Sequence, residues 1–186
     1  MESTLSEQNM AFHNVCTLEQ AWDLVDSFDK YWVTNCGCRE GRGKCERSRI
    51  DVCLWFHTDV TQFGSGLKEV DKAFVEGILK EAKDKHLVTR PFRYEKNMSE
   101  TGGICFCCDD CCEYFLNRAQ GCDKGIMIEQ TDMDLCTHCG ICADVCYFSA
   151  RKMDGDELAI NRDECYGCGL CREVCPEDCI RMVIRN

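Results

Sequence analysis

No apolar run in this chain approaches the ~18 residues of a membrane-spanning helix, so no span is expected. The opening stretch MESTLSEQNMAFHN has no basic segment followed by an apolar one, and no secretory signal is expected from it. Positive charge is also short. Against 33 Asp and Glu stand 22 Lys and Arg, a formal net charge of −11. An acidic surface disfavours nucleic acid, whose binding rests on cations meeting phosphates. It suits a carrier steered onto basic patches of redox partners, or it serves solubility alone. Catalytic patterns are missing too: no Ser/His/Asp set, no phosphate-binding loop, and no GxGxxG after a strand. The reading therefore leans away from an enzyme acting by itself, and any nucleotide or flavin partner belongs to another chain.

What is abundant is cysteine, 20 residues in 186. A disulfide-rich secreted domain is usually shorter and carries a signal. These cysteines are therefore expected as thiolates in a reducing cytoplasm, engaged in metal or redox chemistry. The remaining composition, 45% hydrophobic and 30% charged, is ordinary for one or two globular domains.

The densest order lies between Asp134 and Pro176. Cys136, Cys139, Cys142 and Cys146 have the spacing C-x2-C-x2-C-x3-C. Cys165, Cys168, Cys171 and Cys175 repeat it 29 residues later, followed by Pro176. Three cysteines in seven residues crowd a tetrahedral zinc but wrap three corners of an iron–sulfur cubane, and the fourth ligates the other cluster. One [4Fe–4S] cluster is thus expected on Cys136, Cys139, Cys142 and Cys175, and a second on Cys165, Cys168, Cys171 and Cys146. Zinc knuckles and a disulfide lattice are the plainer alternatives.

This segment resembles a bacterial two-cluster ferredoxin, over about the last third of the chain. One departure is Tyr147 after Cys146, where that family usually carries proline. Loss of the fixed turn alters solvent access or hydrogen bonding without removing a ligand. Cys179 lies beyond the ligand register and is expected in the core. His138 is expected as a loop residue beside a cluster, not a ligand. Ile126–Ile128, a turn at Met153–Gly155, a return strand at Leu158–Ile160 and a closing strand over 179–184 complete the expected module.

Upstream, Thr17 to Gln20 forms a capping box. Leu18, Ala21, Trp22, Val25, Phe28 and Trp32 follow at helical spacing, predicting a helix of about four turns. A second helix is predicted from Leu67, Val70, Phe74, Ile78 and Ala82, with Gly77 marking close packing. Thr61 to Gly66 is expected as a loop, residues 1–16 as a loose tail, and Pro91 as the end of regular helix. His86 is expected as a surface residue.

Between these helices lie Cys36, Cys38, Cys45 and Cys53 in a loop rich in Gly and Arg. Its arginines either offset an anionic cluster or form a solvated basic loop, and Cys53 is either a ligand or a buried thiol. Cys105, Cys107, Cys108, Cys111 and Cys112 follow Gly102–Gly103. Here a loop is expected to enter a helix at about Asp109 that continues over 113–120, its N-terminus favouring anionic thiolates. With Cys16 and Cys122 set aside, nine upstream cysteines suffice for one or two further clusters; zinc and free thiols are the alternatives.

A CxCR group and a later CxCCxxCC group ahead of a two-cluster ferredoxin resemble iron–sulfur proteins of anaerobic bacteria and archaea. That resemblance implies more metal upstream and supplies no reaction. The expected class is α+β: a mainly helical cysteine-rich domain over 1–125 and a ferredoxin-type domain over 126–186. The expected function is low-potential electron transfer to or within a redox enzyme complex, with a redox protein or complex subunits as partner. Two alternatives stand beside it. One is a redox enzyme or catalytic subunit with an unusual cluster, at which Arg39, Arg42 or Lys44 holds an anion. The other is a reductive-activation or cluster-assembly factor.

Overall fold

A computed structural model describes residues 10–59, 64–117 and 121–186. Its fold is mixed, with short helices and three sheets. The upstream part is not mainly helical. In chain order it runs β1 (His13–Asn14), α1 (Leu18–Asp26), β2 (Tyr31–Thr34), α2 (Gly37–Arg42), β3 (Cys53–Trp55) and β4 (Lys68–Val70). Then come α3 (Lys72–Asp84), β5 (Val88–Tyr94), β6 (Asn97–Cys107), α4 (Glu113–Asn117) and β7 (Cys122–Asp123). The strands form one seven-stranded sheet in the order β4-β2-β3-β6-β5-β1-β7. The helical reading failed because two of its apolar positions, Trp32 after one helix and Val70 before the other, belong to strands.

Helix α1 shows how. Its capping box is present: Thr17 Oγ1 accepts from the Gln20 amide at 3.3 Å, and Gln20 Oε1 accepts from the Thr17 amide at 3.0 Å. The helix stops at Asp26, however, and Trp32 lies in β2 opposite Trp55. Helix α3 likewise starts at Lys72, capped by Asp71, whose carboxylate accepts from the Phe74 amide at 2.8 Å. Leu67 and Val70 precede it. Gly77 is exposed, and a Cβ built there meets nothing within 4 Å, so close packing is not its reason. The expected loop at Thr61–Gly66 falls partly outside the described residues, as do residues 1–9 of the expected tail. The rest of that tail is ordered: His13 and Asn14 pair with β5 and β7, and Val15 and Cys16 are buried.

Pro91 sits inside β5 and ends no helix. The Thr89 carbonyl faces the β1 side, where it accepts from the Cys16 amide. Two residues on, Pro91 points the same way, so its missing N–H weakens pairing with two-residue β1 rather than with long β6.

Period-two alternation sorts the sheet's residues into two faces. Val33, Leu54, Ile104 and Phe106 pack under α1 and α3 with Ala21, Val25, Val75, Ile78, Leu79 and Ala82. Cys53, Trp55, Phe92 and Cys105 turn to the other face, with Phe12 and Trp32 packed against them. Glycine is required at Gly103 on β6, where a Cβ would stand 2.1 Å from the Leu54 carbonyl oxygen.

Residues from 126 onward carry β8 (Met127–Thr131), α5 (Ile141–Asp144), β9 (Arg151–Asp154), β10 (Glu157–Ile160), α6 (Leu170–Glu173) and β11 (Ile180–Ile184). β9 and β10 form a hairpin, and β8 pairs antiparallel with β11. This part does not stand apart from the sheet. Val15, Val88, Tyr114, Val145, Phe148 and Leu170 share one buried cluster, and Arg172 bonds Glu19 across the join at 2.9 Å. None of the described helices is long and apolar enough to cross a membrane.

Candidate iron–sulfur centres

The two cysteine runs fold alike. Positive φ recurs at His138 and Gly167, at Gly140 and Gly169, and at Ser149 and Asp178, three pairs each 29 residues apart. The left-handed residues let each loop curl so that successive thiols face inward. His138 tolerates that conformation because its Nδ1 accepts from the Leu158 amide at 2.9 Å. Gly167 has no substitute: a Cβ there would stand 2.1 Å from the Met127 carbonyl oxygen.

Cys136, Cys139, Cys142 and Cys175 line one small cavity, together with Cys179. Cys146, Cys165, Cys168 and Cys171 line another. Each cavity thus takes three thiols from one run and one from the other. Cys179 is buried, with Sγ 3.5 Å from that of Cys175. Arg151 reaches both cavities: it lines the second, and its Nη1 donates to Cys142 Sγ at 3.3 Å in the first. Burial pushes the thiols of Cys168 and Cys146 up, and that of Cys171 up to about 12. Left alone, these groups stay protonated. Four soft sulfur donors around a closed space, beside a buried cation, fit an iron–sulfur cubane, which takes the protons' place. Among the described residues the one carboxylate lining the second cavity, that of Glu129, is already paired with Arg151 and Arg162.

The nine upstream thiols lie on a more irregular frame. β6 continues through Cys107 in place of the expected loop. The helix expected from about Asp109 over 113–120 begins only at Glu113, after a turn at 109–111, and is described as far as Asn117. Cys105 and Cys107 alternate with Ile104 and Phe106 and face away from the helices. The sulfurs of Cys45, Cys108 and Cys111 lie within 4.8 Å of one another, with Cys45–Cys108 at 3.6 Å and Cys108–Cys111 at 3.5 Å. Cys36 packs against the same core. Cys53 and Cys105 approach to 3.9 Å. A cavity of about 870 Å³ opens here, lined by Cys36, Cys38, Cys53, Cys105, Cys107, Cys111 and Cys112.

Three residues at this cavity carried no signal that sequence reasoning used. His13 points Nε2 at Cys105 Sγ, 3.8 Å away, and burial followed by the charge of Arg90 holds its imidazole down to about 4, hence neutral. Arg90 is 2% exposed and donates to Cys112 Sγ at 3.4 Å and Cys107 Sγ at 3.7 Å. Its guanidinium lies 4.2 Å from the ring centre of Tyr114, and its Nε and Nη2 have no partner. Only the alternation of β5, which puts Arg90 between inward Val88 and Phe92, could have exposed it.

Of the three cations expected to hold an anion, Arg39 is 1% exposed and bonds the oxygens of Ser48, Arg49 and Phe106, with the Cys111 thiol beside it. Arg42 lines the cavity from its exposed rim. Lys44 lies on the surface paired with Glu46 and does not reach the site. Neither Arg39 nor Arg90 pairs with a carboxylate among the described residues. A buried guanidinium without a counter-charge costs several kcal/mol. The groups positioned to supply that charge are thiolates, or the sulfides of a cluster they hold.

Residues 128–176 match the 4Fe-4S dicluster domain family. No curated protein matches the chain. The matched segment contains all eight cysteines that line the two small cavities, and such a domain implies iron–sulfur binding and electron transfer.

Proposed function

We propose that this protein is a low-potential electron carrier or electron-transfer subunit with clusters in both parts of the chain. In residues 126–186, one [4Fe–4S] cluster is held by Cys136, Cys139, Cys142 and Cys175, the other by Cys146, Cys165, Cys168 and Cys171. In residues 1–125, at least one further iron–sulfur cluster is held by the upstream thiols. When bound, these groups accept and release single electrons. The chain's own residues fix the sulfurs, exclude water and set the local charge, the means by which a protein tunes potential. The observation that carries the reading is the pairing of buried arginines with thiols: Arg151 on Cys142, Arg90 on Cys107 and Cys112.

The test is iron and acid-labile sulfide per chain after purification without oxygen. About 12 or 16 of each supports the reading. About eight, with zinc or free thiols upstream, removes its upstream half, and a value well below eight in folded protein removes all of it.

The cavity of about 870 Å³ favours a second reading, a redox enzyme whose upstream cluster meets a small substrate, because its volume lies within the range of ligand sites. A substrate that alters the spectrum of a single cluster would support it; a pure carrier shows no such change.

A further inference from the structure

Resting on the upstream half of that reading, we infer that the upstream thiols form two separate iron–sulfur centres, each with its own buried arginine. The first is built from Cys36, Cys45, Cys108 and Cys111 with Arg39. The second is built from Cys38, Cys105, Cys107 and Cys112 with Arg90.

The partition follows from the strand. Cys107 ends β6 facing the cavity side, and Cys108, the next residue, turns to the opposite side. Cys108 and Cys111 are buried in the core under α1 and α3, and Cys36 and Cys45 pack against that core. Cys107 and Cys112 are buried in the cluster with Tyr114 and Phe148, where Cys105 joins them. The Cys38 thiol interacts with those of both Cys112 and Cys36, so it stands where the two groups meet. It is assigned to the second because Cys36, Cys45, Cys108 and Cys111 already make four in the first. Cys53 and His13 stand behind Cys105, at 3.9 and 3.8 Å, outside the four.

Charge and valence point the same way. A cubane takes four thiolates, so a single centre would leave five of the nine without metal. It would also leave one of two buried guanidiniums without an anion, which burial disfavours. Two centres give each cation its counter-charge and leave Cys53 over.

The two centres also differ in access. Cys36 and Cys111 of the first reach the large cavity, whereas all four thiols of the second line it, together with Arg90 and Tyr114. Tyr114 in turn lies 6.3 Å from Phe148, which stacks on Tyr166 at 4.3 Å, and both of those rings line the cavity of Cys146, Cys165, Cys168 and Cys171. The second centre is therefore the one that faces the carboxy-terminal clusters across a packed aromatic wall.

The experiment uses the full chain, purified and reconstituted without oxygen, with iron, sulfide and zinc counted and reduced samples read by low-temperature EPR. Cys45→Ser with Cys111→Ser, and separately Cys107→Ser with Cys112→Ser, should each remove about four irons, and all four together about eight. Loss of all upstream iron from either pair alone overturns the proposal, as does zinc at either centre. If a cysteine variant fails to fold, Arg39→Gln and Arg90→Gln keep every thiol. Each should shift the midpoint of one upstream signal and leave the other in place; a shared shift of one signal overturns the partition. A wild-type count of about eight irons is a different failure, because it removes the upstream clusters altogether.

Discussion

Arg151 is shared between the carboxylate of Glu129 and the thiol of Cys142, and it forms part of the wall of the neighbouring cysteine cavity. Both side chains of the ion pair are 1% exposed, and Thr131 Oγ1 accepts from the same guanidinium at 2.6 Å. Glu129→Gln removes the anion and leaves the cation buried. Breaking one side of such a pair costs about 3–5 kcal/mol, read as a lower urea midpoint of the anaerobic protein. The same change leaves an extra positive charge at the clusters, so their midpoints should rise. At roughly 4–8 Å and an effective dielectric of about 20, one charge is worth about 2–4 kcal/mol, on the order of 100 mV for one electron. An EPR-monitored titration showing no shift, or a fall, would contradict a place for this pair between two cluster sites.

Gly77 offers a cleaner gain. It lies inside α3 with open space where a Cβ would go, and its φ is not positive. Gly77→Ala should therefore stabilise the protein by about 0.5–1 kcal/mol through lower backbone entropy in the unfolded chain. Iron content should be unchanged. Destabilisation in thermal unfolding would show that this face of α3 is packed after all.

These cases mark what the sequence could and could not say. The two cysteine runs and their return strands were legible because ligand spacing and turn chemistry act within a few residues. Cys146 and Cys175 lie across from the runs they leave, as the fourth-cysteine rule implies. The seven-stranded sheet was not legible. Several of its strands are short, β3 having three residues and β1 two, and four of its six pairings join strands that are not consecutive in the chain. Trp32 and Val70 fit a 3.6-residue period by coincidence once the true helix had ended or before it had begun. Arg90 was hidden for another reason: a buried cation whose counter-charge is a set of thiols leaves no acidic partner in sequence to pair it with.

Cys16 should behave as a thiol outside every centre. It is 5% exposed, its Sγ lies 3.5 Å from Thr89 Oγ1, and it packs among the aliphatic residues under α1. Burial pushes its thiol up to about 12, outweighing the Thr89 hydrogen bond. A raised value in the folded state means that the neutral form persists there while the unfolded chain ionises from about pH 8.5. Stability from this residue is thus complete below that pH and declines as pH rises towards about 12. Since only the thiolate is nucleophilic, native protein at pH 8–9 should resist alkylation at Cys16, as read by peptide mass spectrometry, and Cys16→Ala should keep its full iron. Rapid modification in folded, metal-loaded protein would mean that this core opens.

Arg90 allows a prediction whose sign depends on the metal. In the metal-free chain its guanidinium is buried against neutral thiols, with two nitrogens unpartnered and no carboxylate in reach among the described residues. Replacing a poorly compensated buried charge by an apolar side chain of similar volume is neutral or stabilising by about 1–4 kcal/mol. Arg90→Met should therefore raise or leave unchanged the unfolding midpoint of the apo protein. In the loaded protein the same cation faces anionic sulfur, and its removal should loosen the adjacent cluster, so that iron is lost faster to a chelator. Comparing chelator-driven iron release with apo unfolding separates the two effects. Were Arg90→Met to destabilise the apo chain by about 3 kcal/mol or more and leave iron release unaltered, Arg90 would be a packing residue with its charge balanced elsewhere. Opposite signs in the two states would place its counter-charge on the cluster, because no other partner changes between them.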